Sequence, residues 1–260
     1  MPDTSQSEYI SALFRDLKQG KLPSGAVCIY PGRRNQLYRF PSPFGDLVVK
    51  CFGRPGLINS LVYRHLRRSK AERSYTNSLA LLKAGLSVPE PLAYKEYSRC
   101  GRLRESYFLC RFTEGDTIRF FERRPDCDQM LEALALEVRK FRRAGIWHKD
   151  FSPGNILVQT LPAEAAENSS SRYIFNYVDL NRMKFGDYDP RHTVTMFSRI
   201  NDSLEQTLRF ARAYERLTAA EPDLQVPGFL EKVAAGHRRF FEGKERKRRL
   251  RQRLRLTRRK

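Results

Sequence analysis

The first half of the chain alternates between apolar and polar positions in short runs, which predicts a small antiparallel sheet. Residues 26–30 and 36–40 have the pattern of a hairpin with a turn at 31–35, and residues 47–52 form a third strand after a glycine turn. The remaining predicted elements of the sheet are strands at 92–94 and 106–112 and a basic turn at 98–104.

Apolar positions that recur every three or four residues predict the helices. A short amphipathic helix is expected around Tyr9 to Phe14. A longer helix is expected from Leu61 and should stop near Ala84, because Gly85 suits the left-handed position after a helix and prolines follow it. The later helices are predicted at 127–144, with an apolar face of Met130, Leu131, Leu134, Leu136, Val138 and Phe141, and at 193–219, ending before Pro222 and Pro227.

Length and charge narrow the class of protein. The 260 residues, 40% of them hydrophobic, suit one bilobal domain or two small ones with a real core. Lys and Arg number 49 against 29 Asp and Glu, a net charge of +20. Such an excess favours anionic partners, namely nucleic acid, phospholipid or a phosphorylated substrate.

The five cysteines form no Cys-x-x-Cys pair, and their number is odd. This usage is typical of a reduced cytosolic protein with buried thiols and argues against a disulfide framework or a zinc site. The polar N-terminus predicts no secretory signal, and no apolar run approaches the roughly 18 residues that a membrane span requires.

The stretch from His148 to Asn155 has the residue types and spacing of a phosphoryl-transfer loop. Such a loop carries an Asp that is followed, after four residues, by an Asn, and Asp150 and Asn155 keep that spacing. Phosphoryl transfer requires a positioned hydroxyl, metal ions on the phosphates and cancelled charge. We therefore expect Asp150 to accept or orient the acceptor hydroxyl and Asn155 to offer an oxygen to a second Mg²⁺. His148 is expected to hold the loop.

A second stretch supplies a metal-binding aspartate. The apolar and aromatic run 173–178 predicts a strand that ends at Asp179, whose carboxylate can hold Mg²⁺ between the β- and γ-phosphates of ATP. Asp-Leu-Asn replaces the usual Asp-Phe-Gly, which favours a site that is not switched at this point. Either aspartate alone could be an ordinary turn residue. The order of loop, strand, polar linker 163–172, strand and Asp favours a protein-kinase-like fold.

Lys50 is the candidate ATP-binding cation. It follows two valines in the third strand, as in the Val-Ala-Ile-Lys strand of kinases, and a Lys in an apolar strand is costly unless it is paired. Glu72 is the acid best placed to pair with it, although an exposed helix ion pair is the alternative. The hairpin turn has a single glycine, so either Arg33, Arg34 and Asn35 contact phosphate in place of a glycine-rich loop, or the turn is an ordinary solvated one.

The residues from His237 to Lys260 are strongly basic. They contain 13 Lys and Arg against two Glu, a net charge of +11. Such a segment can lie on an anionic membrane, where each basic residue contributes about 1 kcal/mol. A solvated or RNA-contacting tail is the alternative.

The chain resembles the lipopolysaccharide kinase family, the Kdo/heptose kinases of Gram-negative bacteria, over roughly residues 25–200. The resemblance is carried by Val49-Lys50, by 69–75 and 85–91, by the His148–Asn155 loop and by Asp179-Leu180-Asn181-Arg182-Met183. It implies an α+β, bilobal, protein-kinase-like fold with a small antiparallel-sheet N-lobe carrying one helix and a larger, mainly helical C-lobe. The implied divisions are an N-lobe at 1–114, a C-lobe at 115–236 and a basic tail at 237–260.

The resemblance also implies an activity, which is transfer of the γ-phosphate of ATP to a sugar hydroxyl of the lipopolysaccharide inner core. By this match, Lys50 and Glu72 would position ATP, whereas Arg33 and Asn35 are candidate phosphate contacts from the hairpin residues alone. Asp150 would be the catalytic residue, and Asn155 and Asp179 would hold Mg²⁺. The implied place is the cytoplasmic face of the inner membrane, with the basic tail on anionic lipid. Nucleic acid is then disfavoured as a partner.

Two other functions compete with this one. The chain could be a small-molecule or protein kinase of the same fold, or a pseudokinase that binds anionic lipid or RNA. The basic tail favours a lipopolysaccharide kinase over the former. Retention of Lys50, Asp150, Asn155 and Asp179 argues against the latter, because a scaffold without activity needs none of them.

Overall fold

The computed structural model describes residues 4–32, 35–53, 68–100, 102–162 and 172–257. The chain divides into two units. Unit 1 comprises Met1–Lys83, Ser87–Glu114 and Val178–Asn181, and unit 2 comprises Ala84–Leu86, Gly115–Tyr177 and Arg182–Lys260. The short segment Val178–Asn181 therefore packs with the N-terminal part of the chain, although the residues on both sides of it belong to unit 2.

Unit 1 contains an antiparallel sheet in the order β1-β2-β3-β5-β4. The strands are β1 (Val27–Pro31), β2 (Asn35–Phe40), β3 (Leu47–Phe52), β4 (Pro91–Arg99) and β5 (Arg102–Arg111). Each predicted strand is present. The basic turn predicted at 98–104 is wrong in extent, because β4 and β5 continue through most of it. Tyr97 packs against the core and Leu103 is buried, so the inward-facing pattern continues up to the turn.

Two helices accompany this sheet, α1 (Thr4–Lys18) and α2 (Lys70–Lys83). The apolar stripe of α1 is buried against Phe40 and Leu109 of the sheet, as its periodicity predicts. The end of α2 is also as predicted, since Gly85 adopts a φ of 73° just after it. The first part of the long predicted helix, from Leu61 to Arg67, lies outside the described residues.

Unit 2 is built on helix α3 (Cys127–Arg143), whose buried face contains five of the six predicted apolar residues. Leu136 is the exception and is 37% exposed. The strands of this unit form one sheet in the order β6-β8-β9 and one pair, β7-β10. Their bounds are β6 Asp116–Thr117, β7 Ile146–His148, β8 Ile156–Thr160, β9 Tyr173–Tyr177 and β10 Met183–Phe185.

The helix predicted at 193–219 is wrong, because the structure has two helices there. They are α4 (Pro190–Phe197) and α5 (Leu204–Leu217). Asp189 caps α4 with a full capping box, and Ser203 accepts a hydrogen bond from the Gln206 amide at the start of α5. The amide of Ser203 in turn donates to Asn201 Oδ1 at 2.8 Å, which fixes the break between the helices.

The last helix, α6 (Phe229–Thr257), includes most of the basic tail. No boundary in secondary structure occurs at residue 237, and the buried His237 ring contacts the Asn201 carbonyl at 3.1 Å. The tail is therefore a continuation of a helix that packs on the core of unit 2.

The expectation of buried thiols is met by only two of the five cysteines. Cys110 and Cys127 are buried and Cys51 is intermediate, whereas Cys28 and Cys100 are exposed. Burial raises the pKa of both Cys51 and Cys110 to about 12, so these two thiols are protonated and unreactive near neutral pH.

The two leucines of α3 provide a matched test of this packing. Leu134 is fully buried, whereas Leu136 faces solvent in part. We expect Leu134→Ala to lower the free energy of unfolding by about 2–5 kcal/mol because it leaves a cavity in the core. Leu136→Ala should cost about 0.5–1 kcal/mol. Urea denaturation measures both, and equal losses would contradict the packing described for α3.

Candidate active site

The loop between β7 and β8 holds Asp150 through its backbone. The Asp150 amide donates to Nδ1 of the buried His148 ring at 2.9 Å, so His148 holds the loop as expected. The Asp150 carbonyl accepts from the Ser152 amide at 2.8 Å and from Asn155 Nδ2 at 2.9 Å. Because the nitrogen of the Asn155 side chain is engaged in the loop, its oxygen is the atom that can meet a cation.

Phe151 anchors the same loop in the core of unit 2. Its side chain is 1% exposed and meets the Phe141 ring edge-on, with 6.0 Å between the ring centroids. Tyr177, at the end of β9, completes this aromatic cluster. The residue next to Asp150 is therefore fixed by apolar burial, and the carboxylate stands on a rigid support.

Two arginines lie beside Asp150. Arg182 Nη1 donates to Asp150 Oδ2 at 2.9 Å, and the Arg199 guanidinium donates to the carbonyl of Lys149. Burial lowers the pKa of Arg199, an effect that the Asp150 carboxylate partly offsets. Asp150 remains only partly exposed and is surrounded by cations, an arrangement suited to a negatively charged ligand.

In unit 1, Lys50 forms an ion pair with Asp179. Lys50 lies in the middle of β3, between Leu37 and Phe108 of the neighbouring strands, and its side chain is 12% exposed. Asp179 has a φ of 56°, a left-handed conformation that Asp tolerates better than most residues. Its Oδ1 accepts from Lys50 Nζ and also from Asn181 Nδ2 at 2.7 Å.

Helix α2 holds the segment around Asp179 through two backbone carbonyls. Asn77 Nδ2 donates to the Leu180 carbonyl at 2.7 Å, and Arg73 Nη1 donates to the Asn181 carbonyl at 2.8 Å. Both bonds lie within unit 1. Two kinds of contact therefore stabilise the left-handed turn at Asp179. Helix α2 binds the two carbonyls that follow it, and the Asp179 carboxylate binds Lys50.

The expected ion pair between Lys50 and Glu72 is not formed among the described residues. Glu72 lies 3.4 Å from Arg68, one turn away on the same chain, while the Lys50 ammonium is taken by Asp179. The reason is geometric, since the backbone turn at Asp179 directs its carboxylate to the Lys50 ammonium. Glu72 therefore forms the alternative contact, an ion pair with a residue four positions away in the sequence.

The remaining predicted nucleotide contacts are placed as follows. Asn35 begins β2 opposite Phe52, one strand away from Lys50, and Arg33 lies outside the described residues. The single glycine of the hairpin, Gly32, has no room for a side chain, because a Cβ there would lie 2.6 Å from the backbone carbonyl oxygen of Asn35 and would also meet the Tyr30 ring.

Several supporting residues were missed by reasoning from the sequence. Asn181 and Arg182 directly follow Asp179 and Leu180, so the Asp-Leu-Asn-Arg stretch did contain a signal for two of them. The sequence did not predict the contacts of Asn77 and Arg73, because their bonds join residues 103 and 108 positions apart. Arg199 is similarly remote from Lys149 in sequence.

Comparison with known proteins adds an independent line of information. The model of the lipopolysaccharide kinase (Kdo/WaaP) family matches residues 56–219. The solved structure of WaaP in complex with acyl carrier protein is similar with a TM-score of 0.51 and 19% identity, covering 85% of this chain and 95% of that chain. The Rio2 kinase–ADP/Mg²⁺–phosphoaspartate complex from Chaetomium thermophilum gives a TM-score of 0.49 and 18% identity over 86% and 65% of the two chains. No curated protein matches the chain.

The fastening of the Asp179 segment can be tested through Asn77. We expect Asn77→Ala to lower the free energy of unfolding by about 1–3 kcal/mol, because the buried Leu180 carbonyl loses its donor. Amide hydrogen exchange in Val178–Asn181 should accelerate as well. Leu79→Ala, at a residue of the same helix that is 46% exposed, is the control and should change neither quantity appreciably. Unchanged exchange in Asn77→Ala would show that α2 does not hold this segment.

Proposed function

The chain belongs to the lipopolysaccharide kinase (Kdo/WaaP) family, and we propose that it transfers the γ-phosphate of ATP to a sugar hydroxyl of the lipopolysaccharide inner core, on Kdo or on heptose. Its fold is α+β and protein-kinase-like. The observation that supports the proposal most is the Lys50–Asp179 ion pair, because it joins the two charged residues that this chemistry requires at the phosphates of ATP.

On the nucleotide side, Lys50 is the residue we propose for the α- and β-phosphates. It is a largely buried cation fixed in the middle of a sheet, which suits a point-charge contact with phosphate. Glu72 on α2 and Asn35 at the start of β2 are secondary candidates in the same unit. Arg33 stays a prediction from the sequence.

Each of the two residues that we propose for Mg²⁺ has the donor chemistry that this ion prefers. Asp179 presents a carboxylate and Asn155 an amide oxygen, both hard oxygen ligands of the kind that Mg²⁺ prefers. When bound, the ion neutralises charge on the phosphates. Asn181 orients the Asp179 carboxylate through its 2.7 Å hydrogen bond, and we propose that this bond keeps the ligand in place.

On the acceptor side, Asp150 would receive the proton of the sugar hydroxyl. Arg182 contacts its Oδ2, so we assign Oδ1 to the incoming hydroxyl. Protein kinases usually carry a Lys two residues after this Asp, and the chain has Ser152 there. We propose that Arg182 supplies the missing positive charge next to Asp150, which would balance the charge of the transferring phosphoryl group.

The basic end of α6 is proposed to bring the protein to the cytoplasmic face of the inner membrane. Among the described residues, no helix is both long enough and apolar enough to cross a bilayer. Residues 243–260 carry 11 Lys and Arg, which favours peripheral attachment to anionic lipid. Inner-core lipopolysaccharide is anchored in lipid, so an acceptor of this kind requires a protein that works at the membrane.

Transfer of phosphate from radiolabelled ATP to Kdo-lipid A, with Mg²⁺, tests the proposed activity. We expect wild type to transfer, Asp150→Ala to lose about 10²–10⁴-fold in rate while ATP binding survives, and Asp179→Ala to lose transfer as well. Leu136→Ala, which changes none of the proposed site residues, controls for losses of activity during preparation and should transfer phosphate at about the wild-type rate. Transfer by Asp150→Ala at the wild-type rate would remove this residue from the mechanism. Absence of transfer by wild type, with ATP bound, would move the search to other acceptors, and absence of ATP binding would favour a pseudokinase.

Attachment to the membrane can be tested by removing residues 243–260. The truncated protein should fold normally, because the described side chains after Phe241 are exposed or intermediate and none is in the core. Sedimentation with phosphatidylglycerol vesicles at about 0.15 M salt should show a large loss of binding. Phosphatidylcholine vesicles serve as the uncharged control. Retained binding to phosphatidylglycerol would exclude the tail as the membrane contact.

A further inference from the structure

A groove in unit 2 runs between α4 and α6, and we call it the α4–α6 groove. Its volume is about 550 Å³. None of the lining residues that the structure describes is an Asp or a Glu. The lining contains the cations Arg191, Arg199, Lys232 and Arg239 and the apolar residues Val194, Ala235 and Phe240. Cations above an apolar floor suit a ligand that is both anionic and partly apolar.

Tight packing builds the floor of this groove. Ser198 Oγ lies 2.6 Å from the Val194 carbonyl and 3.2 Å from the Val233 carbonyl of α6. Gly236 permits this approach, because a Cβ at that position would collide with Ser198. The groove is therefore a defined feature of the two packed helices and does not depend on flexible surface side chains for its floor.

Arg199 connects the groove to the catalytic loop. Its guanidinium lies 4.7 Å from the centroid of the Phe240 ring and donates to the Lys149 carbonyl, next to Asp150. Among the described residues, no carboxylate forms a salt bridge with Arg199, although the side chain is partly buried. The Asp150 carboxylate acts on Arg199 without a direct contact, so a ligand anion in the groove would give this guanidinium a direct counter-charge.

The other cations of the groove differ in how far they are neutralised. Arg191 pairs with Asp189 at 2.5 Å. Neither Lys232 nor Arg239 takes part in a salt bridge within the part of the chain that the structure describes. These two side chains, together with Arg199, are the ones available to an anionic ligand.

The groove continues along α6. Arg239 and Phe240 also line a second groove of about 740 Å³ on this helix, with Lys244, Lys247, Arg248 and Arg251. These cations recur every three or four residues and so repel one another on one helix face, a repulsion that a bound polyanion would relieve. Gly243 lies among them, and a Cβ there would meet no other atom. A side chain at this position would therefore project into the groove continuation without meeting the rest of the protein.

We propose that the α4–α6 groove and its continuation bind the phosphate groups of an anionic glycolipid acceptor, and thereby hold its sugar near Asp150. The inference rests on the proposed function and specifies how the acceptor is recognised. Charge complementarity supports it, because Arg and Lys bind phosphate oxygens strongly while the Phe240 ring and the lysine stems accommodate apolar groups. The occupant is a phosphate borne by the acceptor itself, as distinct from the general charge of a bilayer.

Two matched double variants test the groove. Arg239→Gln with Lys232→Gln removes two groove cations. Arg238→Gln with Arg212→Gln removes the same net charge from exposed residues of α6 and α5 that line neither groove. Binding to Kdo-lipid A in neutral detergent micelles, without ATP, is measured by calorimetry with the full chain. We expect the groove variant to raise Kd about tenfold or more, with KM rising and kcat little changed, and the control to stay within about twofold.

Two further ligands identify what the groove recognises. Treatment of Kdo-lipid A with a phosphatase should raise the wild-type Kd and abolish the difference between wild type and the groove variant. Vesicles of phosphatidylglycerol, without glycolipid, should bind wild type and the groove variant equally. A difference that persists on the dephosphorylated acceptor, equal weakening by both double variants, or a matching loss on vesicles would each overturn the proposal.

Gly243→Leu provides a variant in which no charge is removed. Leucine is a better helix former than glycine, and a Cβ at this position meets no other atom, so the fold should be at least as stable. Its side chain should obstruct the groove continuation and raise Kd for Kdo-lipid A several-fold, and wild-type binding would overturn the role of this face.

If wild type transfers phosphate while all groove variants bind normally, the groove assignment fails and the kinase function stands. If binding depends on the groove but wild type transfers no phosphate, the groove assignment stands and the kinase function fails.

Discussion

The ion pair between Lys50 and Asp179 joins a central strand of unit 1 to a segment 129 residues further along the chain. A largely buried ammonium is costly without a partner, so the strand requires this carboxylate or another anion. The carboxylate in turn depends on a left-handed backbone at Asp179, which Asn77 and Arg73 stabilise through the next two carbonyls. Strand, helix and segment thus form one mutually dependent arrangement.

Unit 2 positions its own carboxylate by different means. Burial of Phe151 fixes the loop, the His148 ring and the Asn155 amide bind its backbone, and Arg182 holds one oxygen of Asp150. Because protein interiors are close-packed, the buried Phe151 side chain leaves the loop little freedom to shift. The Asp150 carboxylate is not needed to fold the loop, so it is available for the reaction.

Prediction from the sequence succeeded where periodicity determines structure. β3 was predicted at its observed bounds because a run of apolar residues, interrupted only by Lys50, lies between Gly45 and Gly53. Leu136 was misplaced although it lies only two positions from Leu134, which puts the two side chains on nearly opposite sides of a helix. The break near Asn201 was missed because the buried Ile200 continues the apolar pattern of α4. The partner of Lys50 could not be predicted, because it depends on a backbone turn at Asp179 and on contacts made over a hundred residues apart.

Helix α6 is 29 residues long, or about 43 Å at the usual rise per residue. More than half of the net charge of the chain resides from His237 onward. Such asymmetry influences diffusional encounter as well as binding, because the field of one charged end turns an approaching protein toward an anionic surface. This steering weakens with rising ionic strength, since charges are screened beyond about 8 Å under physiological conditions. At an anionic surface, the field of α6 would therefore act on the orientation of the protein before any specific contact is made.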